Sequence, residues 1–241
     1  MVTVASFGRA VLYLIGALLG LVIGLLFFLI SLFRGSRALH ADGVICRAEV
    51  IAKDSVVGPR LAGPALVRFS GALHKDGSPD QDILGLEIRL QREATSDVRV
   101  GDQDLLLASF ESFGAIGKAK KSTNVRDYLA NTYSTVTRWL VPGIGSAVLH
   151  CRPAGPRASS TSHRNAQLDA DIAADRARML LSVDQNDVAE IRILERLADD
   201  LRTLRTSMSR HGRGVRAVGL RNGIRVTVYP LSQLARRLRR G

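Results

Sequence analysis

The feature that most constrains this chain is an uncharged apolar run from Ala10 to Phe33, AVLYLIGALLGLVIGLLFFLISLF. A helix of about 20 such residues crosses the hydrocarbon core of a bilayer, and this run is long enough. The rival is a cleaved signal peptide. The run is too long for one, and Arg34 and Arg37 stand where a small-residue cleavage site belongs. The expectation is therefore an uncleaved transmembrane helix within residues 1–36. Arg9 stands alone before it, whereas Arg34, Arg37, Arg47 and Lys53 follow it. The positive-inside bias then makes a single-pass protein whose C-terminal part is cytoplasmic. Gly16, Gly20 and Gly24 recur every fourth residue and share one helix face. Such a face lets two backbones approach and suits a homo-oligomer or a membrane partner, although glycine is also simply common in membrane helices.

Behind the anchor, residues 37–230 suffice for one sizeable core. The chain is 46% apolar and 23% charged, which is globular composition rather than disorder. Its two cysteines, Cys46 and Cys151, are far apart, which argues against a disulfide scaffold or a cysteine-based zinc site. The formal net charge of +12 is concentrated at one end. Eleven arginines lie between Arg202 and Arg240 with no acidic residue among them, and removing them leaves residues 1–200 at about +1. Nucleic-acid binding would want aromatic residues for stacking, which this stretch almost lacks. The tail, residues 231–241 above all, is instead assigned to the anionic headgroups of a lipid bilayer, worth about 1 kcal/mol per nearby basic residue.

Residues 38–110 read as strands: Val44–Ile51, Pro64–Phe69, Ile83–Leu90 and Asp104–Ser109. Leu84, Leu86, Ile88 and Leu90 alternate with Glu87 and Arg89, so one face is apolar. Residues 115–140 read as helical and partly basic. Ser146–Cys151 and Ala177–Val183 read as further strands. Val188 to Met208 carries Ile191, Leu194, Leu197, Leu201 and Leu204 at helical spacing. Asn222-Gly223 between VRAVGL and IRVTVYP is a two-residue hairpin signal. The pattern predicts an α+β protein built on an antiparallel β-barrel with helical inserts, following one transmembrane helix. SFGAIGK at Ser112–Lys118 lacks the first glycine of a phosphate loop and the Ser or Thr for magnesium. Gly212-x-Gly214-x-x-Ala217 has the wrong context for a dinucleotide fingerprint.

Two segments carry more. The first is Arg37-Ala-Leu-His40-Ala-Asp-Gly43, running into CRAEV. The second is Val67-Arg68-Phe69-Ser70, followed by Asp82-x-x-Gly85, Asp104-Leu105 and Phe113. In this order they resemble the catalase superfamily, over roughly residues 37–113, and the short chain is closest to its minimal single-barrel members. The resemblance implies that His40 is the distal acid–base histidine and Ser70 the serine that orients its ring. It implies that Arg37 and Arg68 pair with haem propionates. It also points to Arg225-x-x-x-Tyr229, with Arg236 beyond, as the proximal motif, Tyr229 being the iron ligand; Leu231-Ser232 stands there in place of the family's Asp-Thr. Ala108 occupies the position of the family's distal asparagine. On its strand-like context, Tyr229 reads as a barrel-rim residue.

The expected activity is thus that of a membrane-anchored, haem-dependent peroxidase decomposing hydroperoxides. The short step from Phe33 to His40 favours lipid hydroperoxides. The alternative is a degenerate barrel without haem that acts as a membrane-tethered binding or structural subunit.

Overall fold

The computed structural model describes residues 4–34, 40, 42–72, 81–91, 97–156, 163–198, 204 and 206–238. A long helix, α1 (Val4–Arg34), comes first, and within it Gly8–Leu29 is a candidate membrane span by length and composition. Strand β1 (Asp42–Ala52), a one-turn helix α2 (Gly58–Leu61), β2 (Gly63–Gly71), β3 (Leu84–Leu90) and β4 (Gln103–Ala108) follow. After α3 (Ile116–Ser122) come four short strands, β5 (Tyr133–Ser134), β6 (Trp139–Val141), β7 (Gly145–Ala147) and β8 (Leu149–Pro153). Helix α4 (Arg164–Ala173), strands β9 (Arg178–Val183), β10 (Asn186–Arg196) and β11 (Arg216–Ala217), and helix α5 (Leu220–Leu238) complete the chain.

Eight strands close into one antiparallel barrel in the order β1-β10-β9-β8-β5-β4-β3-β2, while β11, β6 and β7 form a small separate sheet. The period-2 alternation decides what fills the lumen. Cys46, Ala48 and Val50 of β1, Val67 and Phe69 of β2, Leu84 to Leu90 on even positions of β3, and Leu105 and Leu107 of β4 all belong to one buried cluster. Each fully buried leucine or phenylalanine contributes about 1.5–3 kcal/mol. Phe69 stacks on Tyr128 at 5.1 Å between ring centroids, and the Tyr133 hydroxyl donates to the Tyr128 carbonyl.

The outer face of β2–β4 is buried too, which explains why Glu87 and Arg89 are not surface residues. A strap formed by Leu204 and residues 206–212 lies across it. Thr206 Oγ1 donates to Glu87 Oε2, the Ser207 amide to Asp104 Oδ2, and Arg210 Nη1 to Asp104 Oδ2 at 2.6 Å. Leu204 packs with Ile45 and Leu66 in a second small cluster. Arg210 therefore serves the protein itself, as does Arg213, which donates to the Gln91 carbonyl. These two members of the arginine-rich stretch are not free for lipid.

Three expectations from the sequence are corrected. Residues 188–196 are strand, not helix: Ala189, Ile191 and Ile193 point inward while Glu190 and Arg192 alternate with them, and this short period wins because β10 closes the barrel between β1 and β9. The stretch 115–140 is helical only in α3 and in two 3-10 turns, and then turns into β5 and β6. Asn222-Gly223 makes no hairpin. It lies in α5, where Asn222 is buried and bonds Thr137 Oγ1 and the Arg138 carbonyl. Gly223 is required there because a Cβ would stand 2.0 Å from the Tyr13 carbonyl oxygen of α1. The glycine face of α1 meets α5 of the same chain: a Cβ on Gly16 would overlap the Leu220 carbonyl, and one on Gly20 would overlap Thr227 Oγ1.

Candidate functional site

His40 is the last residue before β1 whose position is described on the barrel's outer wall. Its backbone is left-handed, with φ +56°, which is uncommon for a residue with a side chain. Several bonds hold it there. Its amide donates to the Ala72 carbonyl at 3.1 Å. Its carbonyl accepts from Arg68 Nη2 at 2.7 Å. Its ring Nδ1 lies 3.0 Å from Ser70 Oγ. Ser70 sits in β2 between inward-facing Phe69 and Gly71, so its hydroxyl emerges on the outer wall, as alternation requires.

Beneath the ring the wall is stripped of bulk. Gly43, Ser70, Gly85, Ala108 and Ser134 are cross-strand neighbours in one row running over β1, β2, β3, β4 and β5. A Cβ on Gly85 would stand 2.6 Å from two atoms of the His40 ring and 2.8 Å from Ser70 Oγ. The glycine is therefore a requirement of the histidine above it. Ser70 Oγ also lies 3.5 Å from the Gly85 carbonyl. A Ser70 hydroxyl that donates to that carbonyl accepts from the His40 ring Nδ1–H.

Arg68 is fully buried and forks: Nη2 holds the His40 carbonyl, and Nη1 holds Glu87 Oε1 at 2.7 Å. Glu87 in turn accepts from Thr206 of the strap. Sequence reasoning missed Thr206, gave Glu87 only as a polar-face residue of its strand, and named Gly85 within a motif without a role. The role of Gly85 had a signal, as a glycine at an outward position of an otherwise full-sized strand.

Of the residues singled out from the sequence, His40, Ser70 and Arg68 come together. Arg37 lies outside the described residues. Tyr229 is on helix α5, not at the end of a hairpin strand. It is half-buried against the main core, and the Arg225 guanidinium lies 5.9 Å from its ring centre one turn earlier. Arg225 also donates to the Thr135 carbonyl and Thr137 Oγ1, and Asn222 bonds Thr137, so α5 is tied down just beyond Ser134. His40 thus stands over Gly85 in the row of small residues, and the helix bearing Tyr229 is anchored near the row's end. Arg236 belongs to α5, but its side chain lies outside the described residues.

The two cysteines are poor candidates for redox chemistry. Both are buried and free; burial pushes the Cys46 thiol up to about 12 and Cys151 higher still, so neither is a thiolate at neutral pH. The Tyr133 phenol is likewise pushed well above its ordinary range by burial. Among the described residues, no group of three or more His, Cys, Asp or Glu side chains is gathered to hold a metal ion directly.

The protein is thus a closed eight-stranded antiparallel barrel with a histidine–serine pair on its outer wall. The solved structures it resembles are catalases. A fungal catalase superposes with a TM-score of 0.56 at 11% identity, covering 83% of this chain and 59% of that one. A bacterial catalase gives 0.49 at 12% identity (83% and 57% covered), and catalase A from Saccharomyces cerevisiae gives 0.48 at 10% (83% and 61%). The barrel therefore has a catalase-like fold. The chain spans about three fifths of the length of these proteins. No family model matches the sequence, and no characterised protein matches it significantly.

Proposed function

We propose that this chain is a membrane-associated, catalase-like haem protein that decomposes hydroperoxides. The observation that carries the reading is the His40 Nδ1–Ser70 Oγ contact of 3.0 Å, above a wall whose outward side chains are reduced to Gly85 and Ala108. The bare position at Gly85 lets the His40 ring lie directly against the wall, so a flat group would stack on the face of the ring turned away from the barrel. Tyr229 sits on helix α5 with a guanidinium one turn away, and a tyrosine phenolate is an established type of haem ligand. Haem bound there would supply the iron at which a peroxide O–O bond is broken. The residues of the chain do the rest. Ser70 fixes the tautomer and plane of the His40 imidazole. Nε2 takes a proton from the incoming hydroperoxide and returns it to the leaving oxygen. Arg68 holds the His40 backbone so that the ring stays aimed over Gly85.

The short step from Phe33 to His40 puts the site near the lipid-facing helix, which favours lipid hydroperoxides as substrate. The test is an absorption spectrum of the detergent-solubilised protein after addition of haemin. The proposal expects a Soret band whose position changes in Tyr229→Phe, and hydroperoxide turnover that His40→Ala removes while haem stays bound. Absence of a Soret band would refute the cofactor assignment.

Two observations favour a second reading, a haem-free barrel acting as a membrane-tethered binding module. Ala108 lacks the side-chain donor expected at that place, and Arg68 already has Glu87 as its anionic partner. This reading predicts no haem uptake and no loss of function in His40→Ala.

A further inference from the structure

We infer that α1 lies in the plane of a membrane surface, as the outermost layer of the protein, instead of crossing the bilayer. The inference does not depend on the haem assignment. It begins with the direction of packing. Gly16 meets Leu220 and Ile224, Gly20 meets Ile224 and Thr227, and Gly24 meets Val228 and Leu231. The two helices therefore run parallel, side by side, along the middle of the apolar run. The opposite side of α5 is fastened to the barrel: Asn222 bonds Thr137 Oγ1 and the Arg138 carbonyl, and Arg225 bonds the Thr135 carbonyl. Arg221 lies over the Phe113 ring at 5.1 Å.

The span Gly8–Leu29 is about 33 Å long at 1.5 Å per residue. Were it upright in a bilayer, Gly16 and Gly20 would sit inside the hydrocarbon. The exposed Arg138 and Arg221 and the half-buried Arg225 would be carried in beside them. Hydrocarbon does not tolerate exposed guanidinium groups of that kind where lipid can reach them. In-plane seating removes the conflict. Outside the strip that meets α5, α1 is exposed and apolar, with Leu14, Leu18, Leu21, Val22 and Leu25 turned furthest out, and α5 with the barrel supplies the polar side. An apolar helix face of this kind sinks about 5–10 Å into the headgroup and acyl boundary. The occupant of the face is a lipid bilayer with anionic headgroups. Charge complementarity supports that choice: α1 and α5 contain no acidic residue, and their charged residues are Arg9, Arg34, Arg221, Arg225, Arg236 and Arg237.

The test is a double variant of the full chain, Gly8→Cys with Val100→Cys, reconstituted in sealed vesicles of phosphatidylglycerol and phosphatidylcholine. Gly8 has open space around it beside Arg9, and Val100 is fully exposed on the barrel domain. The native cysteines are buried and stay silent. A membrane-impermeant maleimide is added outside, and labels per intact chain are counted by mass spectrometry, with detergent-opened vesicles as the two-label control. In-plane seating puts both sites on one side, so every chain takes two labels or none, whatever the orientation. A spanning helix puts them on opposite sides, so chains take one label, and that result overturns the inference. Flotation is the second measurement. Binding to phosphatidylglycerol vesicles at least tenfold tighter than to pure phosphatidylcholine is expected. A chain that stays unbound and runs as a dimer without detergent would show that a second copy covers α1, and would also overturn it.

Discussion

Gly85→Ala is the sharpest probe of the site. The added methyl would stand 2.6 Å from two His40 ring atoms and 2.8 Å from Ser70 Oγ, against 3.4–4 Å for ordinary contact. Gly85 and Ser70 are paired in neighbouring strands and cannot part without breaking the ladder. The ring must therefore retreat by about 0.8 Å, and its 3.0 Å contact with Ser70 opens. Overpacking of this kind costs about 1–3 kcal/mol. For a chain of this size that lowers Tm by ~2–12 °C. A displacement near 1 Å of an acid–base group costs about 10²-fold in turnover. Thermal unfolding measures the first effect, and hydroperoxide consumption by haemin-loaded protein the second. Gly117→Ala is the control, because that α3 glycine has open space around it and alanine should be neutral or stabilise by up to about 1 kcal/mol. If Gly85→Ala matched this control in both assays, the ring would not lie over Gly85. If it lost stability but kept full turnover, His40 would not be the acid–base group.

Glu87→Ala strips the buried Arg68 guanidinium of its carboxylate and should cost about 3–5 kcal/mol, whereas Arg68→Met with Glu87→Leu should recover most of that; denaturant unfolding decides. Gly20→Leu drives a side chain into Thr227 and the Ile224 carbonyl, so it should part α1 from α5 and expose the α5 backbone to limited proteolysis while the far-ultraviolet signal of the strands is kept. Cys46 and Cys151 should ignore an aqueous thiol reagent at pH 8 until the protein unfolds. Because the folded thiol at Cys46 ionises only near 12 while the unfolded one ionises near its ordinary value, the unfolded state sheds its proton first. Stability from this group is complete below about pH 8.5 and is lost as pH rises towards 12, which pH-dependent melting would show.

Strong alternation made the first half of the barrel legible. The run Leu84, Leu86, Ile88, Leu90 has one reading, and β3 follows it residue for residue. β10 was harder, because Ile191, Leu194 and Leu197 also fit a helical period, and only closure against β1 and β9 selects the shorter one. Asn222-Gly223 misled for a similar reason. The pair suits a tight turn locally, but α5 gains the Asn222 bonds to Thr137 and Arg138 and the close seat of Gly223 on α1, and tertiary contacts outweigh local preference. The histidine–serine pair was legible as an ordered set of motifs. The Arg68–Glu87–Thr206 chain was not, since Thr206 reaches Glu87 from 119 residues away.

That chain explains how a site on an outer wall stays in register. Ser70, Gly85 and Ala108 have small side chains, so the row under His40 has little of its own to resist a slip of β3 against its neighbours. The adjacent rows resist it instead. Arg68 and Glu87 are cross-strand partners two residues from Ser70 and Gly85, and Arg89 and Asp104 are partners one row further on, bonded at 2.9 Å and capped by Arg210. A two-residue slip would keep the faces but carry Glu87 or Ile83 to the place of Gly85. It would set a buried carboxylate against the imidazole or leave no outward glycine beneath it, and both ion pairs would break at once. With buried pairs costing about 3–5 kcal/mol when one partner is lost, the Glu87 and Asp104 carboxylates and the strap that bonds them make the slipped wall too costly to populate. The close seat of the imidazole on Gly85 is therefore held by charges in the neighbouring rows.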